Sequence, residues 1–400
     1  MGRNASLAER TPPGSAAVPG DHATPSAKPV KRGRAPLWTK LCIVFGAVLS
    51  LTATGAFAGT QLIAKKIEGS VQRGDLLGDA APKEPPRVDG PFTFLVMGSD
   101  SREGDNTIRD TPDGNVAAAP GERSDTIILV HVPKAMNVAY VISVPRDTFI
   151  PIAKADGSPG GKNKINAAFS EGGAPRLVQT LNNFTGLKID YPVIVDFSGV
   201  KEITDLVGGV DVVVDQESYD EYRFMPANSK YPTTPCRVKA GYDNAGEKRN
   251  CLTFKKGPLH LDGELALYYV RQRTGLPRGD LDRAKRQQQF LRALLAKAAT
   301  GDQLTDLRKF NKLVDAVGRS ITVDRRMPVN SIAFTLKGLR PSNMVFMTLP
   351  IAGDIKTFAG DSLQPNKAQS IELFTAVKNG TMDQYLLKYP TSVNDVSHGS

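Results

Sequence analysis

Apolar positions along this chain come in one long run and then in many short ones. The long run, Leu41 to Ala64, contains no charged residue. At about 1.5 Å per helical residue it spans about 36 Å, enough to cross a hydrocarbon core of about 30 Å. Lys40 closes one end, Lys65 and Lys66 the other. It predicts one transmembrane helix. The first short run, Phe92–Gly98, reads as a buried strand and ends in Gly98-Ser99-Asp100-Ser101-Arg102. A polar loop punctuated by Gly and Pro, 101–124, separates it from a second strand at Thr126–Val132. A turn at Pro133–Asn137 leads to a third strand, Val138–Val144, which ends in Pro145-Arg146-Asp147. The last two strands form a hairpin. With the first strand antiparallel to the second, Asp100 and Arg102, Asp125, and Arg146 with Asp147 meet at one sheet edge.

Beyond this point the helical and strand periods alternate. Helices are expected at Ala174–Phe184, Val200–Val207, Asp280–Ala299, Asp302–Arg319 and near Lys367–Val377. Strands are expected at Tyr191–Phe197, Val210–Asp215 and Met344–Leu349. Asp262 is positioned to cap a helix over Gly263–Val270. Residues 216–258 show no clear period and read as irregular. Such alternation predicts an α/β fold with helices on both faces of a sheet.

Charge orients the long apolar run. The chain has 400 residues and a formal net charge of +10. Basic residues crowd ahead of the run, at Lys28, Lys31, Arg32, Arg34 and Lys40, whereas Lys65, Lys66 and Arg73 behind it are offset by Glu68 and Asp75. The positive-inside rule then places the N-terminus in the cytoplasm and the bulk of the chain outside. Ala56-Phe57-Ala58 resembles a cleavage site. A cleaved signal peptide would need an unusually long n-region, however, and the apolar run continues past Ala58, so the uncleaved anchor is preferred. The expected organisation is a disordered basic cytoplasmic tail (1–40), a transmembrane helix (41–64), an extracytoplasmic linker stiffened by prolines (65–91), a catalytic domain (92–385) and a C-terminal tail (386–400). The tail composition fits a solvated, topology-setting segment, with no folded nucleic-acid reader. Of three cysteines, Cys236 and Cys251 fall outside the membrane, where a disulfide is permitted and would stabilise by about 3 kcal/mol; two reduced thiols are the alternative. The chain holds four histidines and no C-x₂-C pair, which argues against zinc.

The helix from Asp280 carries the most chemistry. Its stripe Leu291, Leu294 and Ala298 continues backwards through Gln287, Arg283 and Asp280, so a core-facing surface becomes charged at one end. This fits either a local Asp280–Arg283 pair at the helix start or a functional site. Arg271 and Arg273 lie two apart just upstream, and Arg286 adjoins Gln287. With Arg102, Arg146 and Arg283 they make six arginines whose planar forks suit phosphate oxygens. Asp100 and Asp125 are carboxylates of the kind Mg²⁺ uses alongside substrate phosphates. Carboxylates and clustered arginines together point to a pyrophosphate site. No G-x-S-x-G elbow, Walker motif or G-x-G-x-x-G is present.

Seven short motifs occur in order: Gly98-Ser99-Asp100-Ser101-Arg102, Arg123-Ser124-Asp125-Thr126, Ser143-Val144-Pro145-Arg146-Asp147-Thr148, Lys164-Ile165-Asn166, Gly208-Gly209-Val210, Arg271-Gln272-Arg273, and Asp280-x-x-Arg283-x-x-Arg286-Gln287. Together they resemble the LytR-CpsA-Psr family over residues 92–300, and to about 385 by domain length. The resemblance implies a three-layer αβα sandwich with a mixed central sheet, behind one transmembrane helix. It implies transfer of a glycopolymer from a polyprenyl-pyrophosphate carrier to a peptidoglycan muramic acid hydroxyl, forming a phosphodiester. Mg²⁺, or Mn²⁺ in its place, would be held by Asp100 and Asp125. Arg146, Arg271, Arg273, Arg283 and Gln287 would hold the pyrophosphate, with Lys164, Arg102 and Arg286 as further candidates. Asp280 would orient the arginines or act as base. The implied partners are the lipid-linked glycopolymer, peptidoglycan and the membrane, and not nucleic acid. A polyprenyl-pyrophosphate hydrolase and a non-enzymatic membrane regulator are the alternatives. The 101–124 loop is long for the family pattern.

Overall fold

The computed structural model describes residues 66, 68–83, 88–99, 108–110, 116–118, 124–226, 228–237, 246–272, 275–300, 307–336 and 339–394. The expected tail and anchor, and with them Asp100, Arg102 and Arg273, lie outside these residues, as does the side chain of Asp125. No helix among the described residues is long and apolar enough to cross a membrane.

In chain order, β1 (Gln72–Gly74) precedes β2 (Phe92–Ser99), a ribbon of β3 (Ile108–Asp110) and β4 (Val116–Ala118), then β5 (Ser124–Val132) and β6 (Ala139–Ser143). A hairpin of β7 (Phe149–Ala153) and β8 (Pro159–Lys164) leads into α1 (Asn166–Thr185), β9 (Tyr191–Asp196), α2 (Phe197–Leu206) and β10 (Val210–Val214). Next come β11 (Ser218–Met225), β12 (Thr233–Arg237), β13 (Lys248–Phe254) and β14 (Gly257–Leu261). Helices α3 (Gly263–Arg271), α4 (Asp280–Thr300) and α5 (Leu307–Ser320) follow, then β15 (Ile321–Asp324), α6 (Val329–Leu336) and β16 (Met344–Thr348). A last hairpin, β17 (Ile351–Thr357) with β18 (Gly360–Pro365), precedes α7 (Lys367–Asn379) and α8 (Met382–Lys388).

Seven strands form the central sheet in the order β1-β15-β9-β2-β5-β6-β16. It is mixed: β2 runs parallel to β9 and antiparallel to β5, and β16 runs parallel to β6. Strand β2 explains the two-sided core. Alternate side chains point to opposite faces, and both faces are buried, so the strand reads as a continuous apolar run. Phe92 and Phe94 pack with Tyr191, Ile203, Tyr269, Phe290, Val314 and Ile332. Leu95 and Met97 pack with Ile142, Leu177, Leu181, Leu373 and Tyr385. Helices α2 to α6 thus serve one face, and α1, α7 and α8 the other, in agreement with the expected layering.

Three expectations need correction. The stretch expected as a linker is partly built into the domain: β1 pairs parallel with β15, and Leu76 and Leu77 are buried. Their N–H groups donate to Asp324 Oδ2 at 3.0 and 3.1 Å. Residues 216–258 are not irregular. They form a three-stranded sheet, β11-β13-β12, and the Cys236–Cys251 disulfide ties β12 to β13. Pro235 hides the pattern, and proline is tolerated because β12 is an edge strand. Finally, α1 starts at Asn166, eight positions before the expected Ala174, because it continues across a break at Gly172-Gly173.

Candidate active site

The backbone of the site follows from strand register. Gly98 lies opposite Thr126 and Ser99 opposite Ser124, so the ladder skips Asp125 at a bulge. Strand β6 ends beside this point, with Ser143 opposite Ile128 and Val144 N–H donating to Ile127 O at 2.8 Å. The end of β2, the start of β5 and the end of β6 therefore share one sheet edge, as expected.

The turn after β6 presents Arg146. Thr148 holds it, donating to Pro145 O from its backbone at 3.0 Å and from its hydroxyl at 2.6 Å. Two flanking elements are stitched to the same turn. Asn166 N–H at the start of α1 donates to Arg146 O at 3.2 Å, and Leu363 N–H in β18 donates to Asp147 O at 2.9 Å. Its own Thr148 bonds and these two elements fix the conformation of the turn.

A chain of alternating charges runs through it. Lys164 Nζ lies 3.0 Å from Asp147 Oδ1, and Arg146 Nε lies 3.5 Å from Asp147 Oδ2. Arg146 Nε is 3.6 Å from Asp280 Oδ2, and Arg283 Nη2 is 3.0 Å from Asp280 Oδ1. The Asp280 and Arg283 side chains are 9% and 5% exposed, which requires that each charge be paired. Asp280 thus bridges two arginines. Burial alone would raise the Asp147 carboxyl. A hydrogen bond shared with the Asp280 carboxyl, the Lys164 ammonium and the Arg146 guanidinium outweigh that and hold it at about 2. Asp147 was not among the expected site residues. Its signal was its place directly after Arg146 in the Ser143–Thr148 motif.

Helix α4 links this polar cluster to an apolar cavity. Asp280 and Arg283 occupy its first turn. Gln287, Leu291 and Leu294, further along the same stripe, line a cavity of 190 Å³ with Val96, Ile128, Val141, Phe290 and Val317. Gln287 Nε2 donates to Val270 O at 3.2 Å, which draws the end of α3, and so Arg271, toward this junction. Asp280 itself lines an open polar cleft of 790 Å³ that includes Arg146, Asp147 and Lys164.

Arg286 departs from expectation. Its side chain turns away from the cluster and is 2% exposed. One guanidinium nitrogen donates to Gln272 Oε1 and another to Ser218 Oγ, the latter at 2.6 Å. Its carbon lies 4.7 Å from the Tyr269 ring centroid and 5.2 Å from that of Phe254. On a helix, residues 286 and 287 point about 100° apart, so only one of them faces the site. Among the described residues no three His, Cys, Asp or Glu side chains gather as a metal site.

The LytR_cpsA_psr family model matches residues 58–379. The cell wall biosynthesis protein LcpA of Corynebacterium glutamicum is 29% identical over 77% of this chain and 59% of its own length. The polyisoprenyl-teichoic acid–peptidoglycan teichoic acid transferase TagV of Bacillus subtilis is 35% identical over 51% of this chain and 46% of its own. The chain therefore spans about half to three fifths of these relatives. The crystal structure of Bacillus subtilis TagV aligns with a TM-score of 0.52 and 25% identity, over 74% of this chain and 98% of the other. That of gbs0355 from Streptococcus agalactiae aligns with a TM-score of 0.53 and 22% identity, over 73% and 88%. The family model covers most of the chain, and on that match the chain belongs to the LytR-CpsA-Psr family.

Proposed function

We propose that this chain transfers a glycopolymer phosphate from a polyprenyl-pyrophosphate carrier to a muramic acid hydroxyl of peptidoglycan, joining the two by a phosphodiester during cell wall assembly. One observation carries this reading: α4 runs from a cluster of paired arginines directly into an apolar cavity. An amphiphile with an anionic head and a hydrocarbon tail is the ligand for which both ends are suited. The names of TagV and LcpA agree with it.

In the proposed step an acceptor oxygen bonds to the sugar-bearing phosphorus. The bond from that phosphorus to the bridging oxygen breaks, polyprenyl phosphate leaves with the electron pair, and the hydroxyl proton passes to the Asp280 carboxylate. Arg146 and Arg283 neutralise charge on the phosphoryl oxygens. Asp280 keeps both guanidinium groups aimed. Asp100 and Asp125 would hold Mg²⁺ or Mn²⁺: position 125 falls at the bulge where β5 begins, Asp100 follows the last residue of β2 in sequence, and paired carboxylates are hard oxygen donors. When bound, the ion would offset part of the pyrophosphate charge. The reading carries with it an anchor at 41–64, a cytoplasmic N-terminus and an extracytoplasmic domain, which would confine enzyme and carrier to one bilayer.

The test uses purified full-length protein, lipid-linked donor and peptidoglycan acceptor. Arg146→Ala is expected to cut transfer by about 100-fold or more while the unfolding transition persists. Undiminished transfer would refute the assignment. If water alone gives full turnover and no conjugate forms, the chain is a hydrolase at the same site.

A further inference from the structure

The polar cleft is much larger than a phosphate needs. Its 790 Å³ compares with 190 Å³ for the apolar cavity. Two hairpins and a helix start wall it: β7–β8 supplies Asn163, α1 supplies Asn166 and Ser170, and β17–β18 supplies Asp354 and Asp361. The second hairpin belongs mechanically to the reacting turn. Besides the Leu363-to-Asp147 hydrogen bond, Leu363 forms a parallel bridge with Thr148.

The tip of β17–β18 is unusual. Thr357 pairs with Gly360 across a two-residue turn, and Gly360 takes φ +84°, a conformation in which a side chain would be strained. Ala359 of that turn lines the cleft, and Phe358 is 81% exposed. Its ring meets Phe149 edge-on, with centroids 5.9 Å apart and planes at 70°. A tight turn and one edge contact therefore hold a large aromatic face in solvent, next in the chain to the cleft-lining Ala359.

This combination suits a sugar ring. The C–H face of a pyranose packs on the negative face of an aromatic. Short amides and carboxylates match hydroxyl and acetamido groups. Asp361 pairs with Lys356 at 2.9 Å, and Asp147, Asp280 and Asp354 offset Arg146, Lys164 and Arg278 around the cleft, so its charge is mixed and a neutral glycan fits it. Phosphoryl transfer places the entering and leaving oxygens in line. The hydrocarbon chain of the leaving group suits the apolar cavity, which leaves the polar cleft for the entering hydroxyl.

We propose that the cleft between the β7–β8 and β17–β18 hairpins is the acceptor glycan site, with Phe358 as its stacking platform and Asn163 and Asp354 as hydrogen-bonding partners. This rests on the phosphotransfer reading. The donor's own sugars share the same chemistry, and two-substrate kinetics separate the two sources. Full-length protein is assayed with lipid-linked donor and a peptidoglycan oligosaccharide, each varied in turn. Phe358→Ala is expected to raise the acceptor KM about tenfold and to move the donor KM by less than about twofold, while Phe358→Trp restores the acceptor KM. Asp354→Ala, at an exposed position that leaves folding intact, raises the acceptor KM in the same selective way. A rise confined to the donor KM would assign the cleft to the donor glycan and overturn the proposal, as would two unmoved constants. Failure of the wild-type chain to transfer at all would refute the phosphotransfer reading instead. Direct binding of the oligosaccharide, lost in Phe358→Ala, then still decides the cleft.

Discussion

Each charge between Lys164 and Arg283 is tolerable because its neighbours are opposite. Removing Asp280 would take away the carboxylate that both Arg146 and Arg283 face. Spacing made the Asp280–Arg283 contact legible in the sequence, since residues three apart share a helix face. It put Asp147 at the shared sheet edge but did not reveal its partners, which come from β8 and α4 and are remote in sequence. His131 shows a second buried group at the residue scale. It lies next to the last residue of β5 and shares a hydrogen bond with Thr93 Oγ1 at 3.1 Å. Burial lowers its ring to about 4, against 6.5 when free. The unfolded chain therefore takes up the proton first as pH falls. The stability contribution is complete above about 6.5 and is lost as pH drops toward about 4. Between about pH 7.5 and 5 the loss is expected to reach about 2 kcal/mol. Urea titrations should show His131→Leu with a markedly flatter pH dependence; an unchanged slope would assign the effect elsewhere.

At the scale of elements, α4 organises the domain. From Arg283 to Phe290 nearly every side chain is buried, although most of them are polar. Each polar group is met by a different neighbour. Gln288 Nε2 donates to Ser143 Oγ and Met347 O, both at 2.8 Å, and locks the helix to the sheet edge. Gln289 Oε1 accepts from the Tyr269 hydroxyl at 2.8 Å. Arg286 clamps α4 to β11 and to the residue after α3. Arg286→Ala would leave Gln272 and Ser218 buried without that donor, so a loss of about 3 kcal/mol or more is expected, with transfer per folded molecule largely retained. Denaturant midpoints and active-site-normalised rates check both halves. A fall in transfer at unchanged stability would return Arg286 to the pyrophosphate site.

For the whole molecule, the consequence concerns where folding begins. Residues 71–81 complete the sheet edge and cover part of the second core, since Leu76 and Leu77 pack with Leu177 and Leu181. If the anchor ends at Ala64, the domain stands close to the bilayer with little slack. Leu76 is fully buried, so Leu76→Ala in the full chain is expected to cost about 3 kcal/mol. A true linker position would change stability by less than about 0.5 kcal/mol. Thermal or urea unfolding distinguishes the two.

Local sequence determined what local physics controls. Strands β2, β5 and β6, the Asp262 cap, the α4 stripe and the shared sheet edge all follow from periods of two and 3.6 and from turn residues. Side chain Asp262 indeed accepts from Leu265 N–H at 2.8 Å. Tertiary structure alone decided the rest. The strands of 216–258 carry weak patterns because short, edge or disulfide-tied strands need little intrinsic preference. The linker looked extended because β1 is three residues long and gains its stability from β15. Sequence proposed six arginines for one site, and the fold selects among them. Arg146 and Arg283 converge on Asp280, whereas Arg286 is withdrawn into a structural clamp. A guanidinium suits either task, and the choice depends on which groups the neighbouring elements present to it.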